Sequence, residues 1–185
     1  MKFSILAISV VLAAVTSAQR APTVTYTVSG SAGAWDLNFN LQNNFLAGEG
    51  DFYFFGVLLS SGRNIQGSPT GIWDPTIWTS WDNSPFGGSS TIYNNNWISL
   101  SGADVITPGT SLSGFVARST DTGAPTFVQY FAYAEFGVYG GNDNFQTQDN
   151  PGFEGRAGVV PEPATVAVLG LGVLAFVRRR KSTIK

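Results

Sequence analysis

The chain has 185 residues, a formal net charge of −2, and neither cysteine nor histidine. It therefore cannot form a disulfide, use a cysteine nucleophile or a histidine-based triad, or bind a metal through thiolate or imidazole. From this composition we predict no cofactor and no metal site, and we expect side-chain burial alone to stabilise the fold.

The N-terminus combines a basic residue, an apolar run and a segment of small residues. Lys2 precedes the apolar residues 3–15, which are followed by Thr16, Ser17 and Ala18. This order is typical of a secretory signal peptide, whose cleavage site is marked by small residues. We predict a signal peptide over residues 1–18, cleavage after Ala18 and export of the chain. The small residues argue against a permanent N-terminal anchor.

If the two terminal segments are removed during export, the relevant net charge is that of the remaining body. Residues 19–161 contain four basic and eleven acidic side chains, a net charge of −7. An acidic surface repels phosphate groups, so we predict that nucleic acid is not a partner. The same charge disfavours binding to anionic lipid headgroups.

The first half of this body is predicted to form three strands. Residues 23–29 alternate and are rich in β-branched side chains, which is typical of a strand. Residues 34–41 alternate more clearly, so we expect a half-buried strand with one wet face. The apolar positions of that strand are Trp35, Leu37, Phe39 and Leu41. Residues 51–60 are almost continuously apolar, which favours a central strand covered on both faces.

Residues 66–96 are predicted to be a long irregular segment that contains a tryptophan cluster. The cluster comprises Trp73, Trp78 and Trp81, with Asp74 and Asp82 beside the first and last of them. Exposed indoles next to acidic side chains can stack on sugar rings and bind their hydroxyl groups. Alternatively, the indoles fill the open end of the core beneath the segment. Both interpretations remain open on the sequence.

The second half is predicted to add four strands, at residues 97–100, 112–118, 127–136 and 153–159. The third of these carries apolar residues on both faces, so we expect it to be covered on both sides. About seven short strands separated by turn residues indicate an all-β fold. We predict a single antiparallel β-sandwich over residues 19–159, with a jelly roll as the variant.

An enzyme without histidine or cysteine would have to use carboxylates. Glu49, Asp51 and Glu135 are the candidates, because a glycoside hydrolase needs two acids about 5 to 9.5 Å apart. Their spacing does not indicate that any two of them meet, and acidic residues are common in turns such as 48–51. We therefore predict that the protein is not an enzyme, with a carboxylate-based hydrolase as the third functional alternative.

Calcium is the other ion to consider, since Asn142, Asp143, Asn144, Asp149 and Asn150 offer oxygen ligands. Their spacing matches neither an EF-hand loop nor a glycine-aspartate repeat. Turns rich in asparagine and aspartate occur equally without metal. The prediction of no metal site therefore stands.

The last 26 residues, 160–185, contain three successive blocks. Pro161, Glu162 and Pro163 form a box in which the two prolines fix an extended backbone. Fourteen uncharged residues, 164–177, follow. At ~1.5 Å per residue they would form a helix of about 21 Å, shorter than the roughly 30 Å hydrocarbon core. We predict a transmembrane helix here, completed by basic residues that snorkel and keep this end in the cytoplasm. These basic residues are Arg178, Arg179, Arg180 and Lys181.

This order of box, short apolar run and basic tail resembles the PEP-CTERM sorting signal of exopolysaccharide-producing Gram-negative bacteria. The resemblance covers about one seventh of the chain; the other interpretation is a plain C-terminal membrane anchor. It implies recognition by an exosortase-type processing enzyme, with cleavage near the box. It also implies an inner-membrane anchor before processing, and then a location at the cell surface or in the extracellular matrix.

The resemblance identifies a destination and leaves the role of the body to be inferred. We expect a structural or adhesive role within an exopolysaccharide layer. The alternative is a carbohydrate-binding module that uses the tryptophan cluster, in which case exopolysaccharide is a direct partner.

Overall fold

The structure, a computed structural model, describes residues 20–69, 73–76, 93–99, 102, 104–141 and 152–161. Every regular element in these ranges is a β-strand. The nine strands are β1 (Thr23–Ser31), β2 (Ala34–Gln42), β3 (Asp51–Leu58), β4 (Ile65–Gly67), β5 (Trp73–Thr76), β6 (Asn95–Ser99), β7 (Ser111–Ser119), β8 (Phe127–Glu135) and β9 (Gly152–Val159). The predicted signal peptide, the 164–177 helix and the basic tail lie outside the described residues.

The all-β prediction is confirmed, and each of the seven predicted strands corresponds to an observed one. The prediction of an irregular segment over residues 66–96 is wrong in part, because most of β4, all of β5 and the start of β6 fall within it. Strands of three or four residues are too short to show alternation, which explains the error. Pro75 lies in β5, the last strand in the sheet order, where a missing N–H is tolerated at an edge.

The strands form one sheet, in the order β4-β7-β2-β1-β9-β8-β3-β6-β5. The prediction of an antiparallel sheet is wrong at one position, because β9 runs parallel to β1. The two separate sheets of a sandwich are not observed either, since hydrogen bonding continues through all nine strands. Alternation shows which side chains point inward, but it does not show which strands pair.

The sheet curls until its two ends approach each other. Inward rings from distant strands meet across the interior: Phe55 of β3 lies 5.9 Å from Phe39 of β2 and 5.0 Å from Phe115 of β7, between ring centroids. Near the two edges, the Trp97 indole of β6 donates a hydrogen bond of 3.1 Å to the carbonyl of Gly67 in β4. The result is a nearly closed mixed sheet around one interior.

Both faces of β3, and of β8 from Tyr130 to Ala134, are covered, whereas Phe127 and Gln129 at the start of β8 are exposed. The inward face contributes to the main core, which includes Phe52, Phe55, Ala132 and Ala134. A second cluster packs on the outward face, and its buried members are Tyr53, Phe54, Tyr93, Phe131 and Tyr133. The apolar content of these two strands is therefore explained by burial on both sides.

Candidate functional site

The sorting box leaves the body directly from a strand in the middle of the sheet. β9 pairs with β1 on one side and with β8 on the other. The N–H of Val160 donates a hydrogen bond of 2.8 Å to the carbonyl of Tyr26, just beyond the end of β9. Pro161 has no N–H and cannot extend this ladder. Pro161 is exposed, while Glu162 and Pro163 lie outside the described residues.

Local packing holds β9 in this position. Gly155 lies so close to the Tyr130 ring that a Cβ there would be 2.8 Å from it. The Tyr130 hydroxyl in turn donates to the carbonyl of Pro22 at 3.2 Å, which fixes the chain just before β1. Phe153 and Ala157 are both buried in the main core. The strand that precedes the box is therefore an integral part of the fold.

Two exposed apolar side chains, Phe127 and Val160, lie on the outer face of the sheet at this point of exit; together we call them the exit surface. Phe127 and Val160 expose 54% and 44% of their surface. Val159 is also exposed, but by alternation it projects from the opposite face, the one that carries the buried Ala157. Phe127 is paired with Gly158 across β8 and β9, which places it beside the last residues of β9. The guanidinium of Arg156 lies 4.8 Å from the centre of the Phe127 ring, a distance typical of a cation–π contact.

A groove of about 650 Å³ adjoins the exit surface at Phe127. Polar side chains contribute to its lining, and they are Ser60, Asn94, Asp121, Thr126 and Gln129. Asp121 accepts hydrogen bonds from the hydroxyls of Ser60 at 2.6 Å and Ser119 at 2.8 Å. These bonds lower the pKa of Asp121 below its usual value, so its carboxylate is ionised at neutral pH. The groove thus offers one fixed negative charge beside an aromatic ring.

Sequence reasoning missed the exit surface and the groove. Both depend on the register that brings β9 beside β8, and a single sequence does not contain that register. The one signal available was the alternation in residues 127–136, which placed Phe127 and Gln129 on the same face.

Trp73 and Asp74 of the proposed sugar-binding cluster differ in their exposure to solvent. Trp73 is only 2% exposed and contributes to the main core. Its indole N–H donates to the carbonyl of Asp104 at 2.8 Å, and its ring meets Phe115 edge-on at 5.0 Å. No face of this indole is open to a sugar ring, whereas Asp74 is exposed. Trp78, Trp81 and Asp82 lie outside the described residues.

Two of the three candidate acidic residues are neighbours in the sheet. Asp51 and Glu135 are direct backbone partners across β3 and β8, and we call them the carboxylate pair. Burial raises the pKa of both carboxyl groups above the usual values. Glu49 is 6% exposed and forms an ion pair with Arg20, while its other oxygen accepts from the N–H of Leu46 at 2.8 Å. This carboxylate therefore fixes a loop and the N-terminal end of the body.

The carboxylate pair and the groove lie at opposite ends of β8, because Phe127 begins that strand and Glu135 ends it. At about 3.4 Å per residue, the eight steps between them correspond to roughly 27 Å. A ligand in the groove could not place a reacting bond at the pair.

Neither a metal cluster nor a membrane-spanning helix is found within the described ranges. No group of three acidic, histidine or cysteine side chains is arranged there to bind a metal. The helices that a membrane span would require are likewise missing from those ranges. The asparagine- and aspartate-rich segment 142–150 considered for calcium lies outside them.

Comparison with known proteins identifies the C-terminal segment. A family model described as the PEP-CTERM protein-sorting motif matches residues 159–181. The match begins at the last residue of β9 and includes the box, the apolar run and the basic residues through Lys181. No curated protein gives a significant match to the chain. The chain is therefore a protein with a C-terminal PEP-CTERM sorting motif, which implies export and processing by an exosortase-type enzyme.

Proposed function

We propose that the protein is a structural or adhesive component of an extracellular polysaccharide layer, delivered to it by its sorting motif. The observation that carries this proposal is the direct connection between the motif and a complete sheet. Removal of everything after the box would leave all nine strands in place. A body that survives its own processing intact is suited to a lasting role after release.

The delivery route has two steps in this proposal. Residues 164–177 hold the chain in the inner membrane with the body facing outward, and the basic tail keeps the C-terminus in the cytoplasm. The processing enzyme then cuts near the box and releases or transfers the body to the cell surface or matrix. Glu162 and the two prolines that flank it provide the recognition sequence.

Fractionation of a bacterium that carries an exosortase-type enzyme tests this route. The unaltered chain should appear in the surface and matrix fractions without the C-terminal arginines 178–180. A Pro161→Ala, Pro163→Ala double variant should stay in the inner membrane with its tail attached. Unprocessed wild-type protein in the matrix, or normal processing of the double variant, would contradict the route.

The role itself is tested by deletion of the gene. A structural component should leave the polysaccharide yield unchanged while the cohesion of cell aggregates under shear falls. Complementation with the wild-type chain, but not with the double box variant, should restore cohesion. Unchanged cohesion after deletion would contradict a structural or adhesive role.

A carbohydrate-binding module is the second candidate, and the groove beside Phe127 favours it. Its volume is within the range of about 300 to 1,000 Å³ that small-ligand sites occupy. An aromatic ring next to polar groups is the combination that sugars require. Trp78, Trp81 and Asp82 are the other sugar-binding residues that this candidate proposes.

Affinity electrophoresis of residues 19–161 against the host polysaccharide distinguishes these surfaces. Phe127→Ala should abolish retardation if the groove binds sugar, whereas Trp81→Ala should abolish it if the cluster does. Trp73→Ala is unsuitable because that side chain is buried. Migration without retardation would contradict sugar binding by either surface and leave the structural role as the remaining candidate.

The protein acts without catalysis in this proposal, because the carboxylate pair is remote from the groove. The third candidate, a hydrolase that uses Asp51 and Glu135, predicts release of reducing sugar from the host polysaccharide. Loss of that activity in Glu135→Gln would establish it, and no release is the result that we expect.

A further inference from the structure

The geometry of the exit constrains how a processing enzyme can reach its sequence. Val160 makes the last sheet hydrogen bond, and the box begins at the next residue. Three extended residues span at most about 11 Å, so the far end of the box lies within that distance of the sheet. An enzyme that grips residues 161–163 must therefore approach the body closely.

The region that such an enzyme would approach is apolar. Among the described residues, the large exposed apolar side chains form two groups at opposite ends of the body. One group comprises Phe127, Val159 and Val160 at the end of β9, and its two members on the outer face, Phe127 and Val160, form the exit surface. The other consists of Leu46, Phe136 and Val138, on loops joined by a hydrogen bond from the N–H of Val138 to the carbonyl of Gly48. Only the first group adjoins the sorting box.

The exit surface is also held in a defined arrangement. Val160 is fixed by its backbone hydrogen bond to Tyr26, and Phe127 is fixed by pairing with Gly158. The contact of Arg156 with the Phe127 ring restrains the side chain itself. A partner that binds this surface would lose little free energy in ordering it.

We propose that the exit surface is a docking site for the exosortase-type enzyme, so that the enzyme recognises the folded body as well as the motif. This proposal rests on processing of the motif. The partner contributes an apolar patch on its outward side, next to the site that binds the box. Phe127 is the central contact, because aromatic side chains dominate the energetics of interfaces.

Docking of body and box together makes the two contacts mutually reinforcing. A short connection gives the second contact a high effective concentration once the first has formed, and a long flexible linker lowers it. Replacing Phe127 and lengthening the connection should therefore slow processing to a similar extent. Either change should slow it little further in a chain that already carries the other.

The test follows the loss of the C-terminal tail by pulse-chase and intact mass, in cells that produce the full chain and the enzyme. Phe127→Ser should lower the rate of processing about five- to tenfold, as expected for the loss of one interface aromatic. Phe136→Ser, which alters the more exposed phenylalanine at the opposite end, should leave the rate unchanged. Equal thermal stability of both variants excludes misfolding as the cause.

A ten-residue glycine-serine linker between Val160 and Pro161 supplies the second arm. It should slow processing to about the same extent, and Phe127→Ser should then cause no further loss. A wild-type rate for Phe127→Ser, or faster processing with the linker, would overturn the proposal.

Two controls distinguish docking on the enzyme from membrane binding and from failed recognition of the motif. Binding of purified residues 19–161 to phosphatidylethanolamine–phosphatidylglycerol vesicles that is lost in Phe127→Ser would assign the surface to the bilayer and overturn the proposal. Pro163→Ala should block processing whatever Phe127 does. Processing of Pro163→Ala would contradict recognition of the box, which belongs to the proposed function, and would leave the docking proposal to be judged by the Phe127→Ser rate.

Discussion

Asn43 shows how one buried amide can hold several segments of this body together. It is 0% exposed, and its amide nitrogen donates to the carbonyls of Gly50 and Ile106 at 3.0 and 2.8 Å. Its side-chain oxygen accepts from the N–H of Phe45 at 2.9 Å. All of its side-chain polar atoms are therefore satisfied, and the turns before β3 and β7 are fixed to the end of β2.

Asn43→Ala should lower the free energy of unfolding by about 3 kcal/mol, because it leaves buried backbone groups without their partners. Urea denaturation of residues 19–161 measures the change. Gln42→Ala, at the exposed neighbouring position, should have an effect within about 0.5 kcal/mol. Equal midpoints for the two variants would show that water replaces these bonds at little cost.

The carboxylate pair predicts a pH dependence of defined sign. Burial raises the pKa of Asp51 in the folded state, so its ionised form costs stability at neutral pH. That cost disappears as the pH falls through the raised pKa. Asp51→Asn should therefore stabilise the protein at pH 7, by about 0.5 kcal/mol for a partly exposed charge, and lose this advantage in acid. Thermal melts from pH 3 to pH 7 measure both.

Asp121 provides a control of opposite sign. Hydrogen bonds from Ser60 and Ser119 lower its pKa, so it contributes stability at neutral pH that is lost as the pH falls through that lowered pKa. Asp121→Asn should destabilise the protein at pH 7 and converge on the wild type in acid. The same sign for both variants would contradict the assignment of the two shifts.

At the scale of elements, β9 has a role that its short sequence does not suggest. In the strand order it stands between β4-β7-β2-β1 on one side and β8-β3-β6-β5 on the other. Its Phe153 ring also packs against Phe45 and Phe52 at 5.4 and 5.8 Å. Loss of β9 would separate the two halves of the sheet and expose their shared core.

A chain that ends before Gly152 should therefore fail to unfold cooperatively and should bind a dye for exposed apolar surface. A chain that ends at Pro161 retains all nine strands and should unfold in one sharp transition. Circular dichroism with a thermal ramp compares them. A cooperative transition in the shorter chain would show that the remaining eight strands form a stable unit.

Prediction from sequence succeeded where the physical signal is local. Alternation located β1 and β2, because the inward and outward faces of a strand differ at every step. It could not reveal β4 and β5, which are too short for a period, or the parallel pairing of β9 with β1. The pairing of strands is determined by long-range contacts and depends on how the whole chain packs.

The same distinction applies to the candidate sites. The sorting motif was found because it is contiguous in the sequence. The exit surface was not found, because Phe127 and Val160 are 33 positions apart and lie on the same face only through the register of two strands. For Trp73, composition permitted either a platform or a core residue, and only its contacts with Asp104 and Phe115 distinguish them.

At the scale of the whole molecule, near-closure of the sheet depends on contacts between its two ends. Trp97 is fully buried, stacks on Phe55 at 5.9 Å and donates to Gly67 across the gap. Asn95 reinforces this approach by accepting from the N–H of Asn64 at 2.8 Å. These contacts replace the ladder that full closure would supply.

Trp97→Phe should cost about 1 to 3 kcal/mol, from the lost hydrogen bond and the lost volume. Amide exchange should accelerate mainly in β4 and the adjoining part of β7. The matched control is Trp35→Phe, since the indole N–H of Trp35 has no hydrogen-bond acceptor in the described structure. Uniform acceleration throughout the sheet would indicate global destabilisation and would contradict a local closing role.

The adjacency of β1 and β9 also governs when an exported chain can fold. β1 is the first and β9 the last of the described strands, so the centre of the sheet stays incomplete until residue 159 is available. Folding of the body therefore finishes with the segment that leads into the sorting motif.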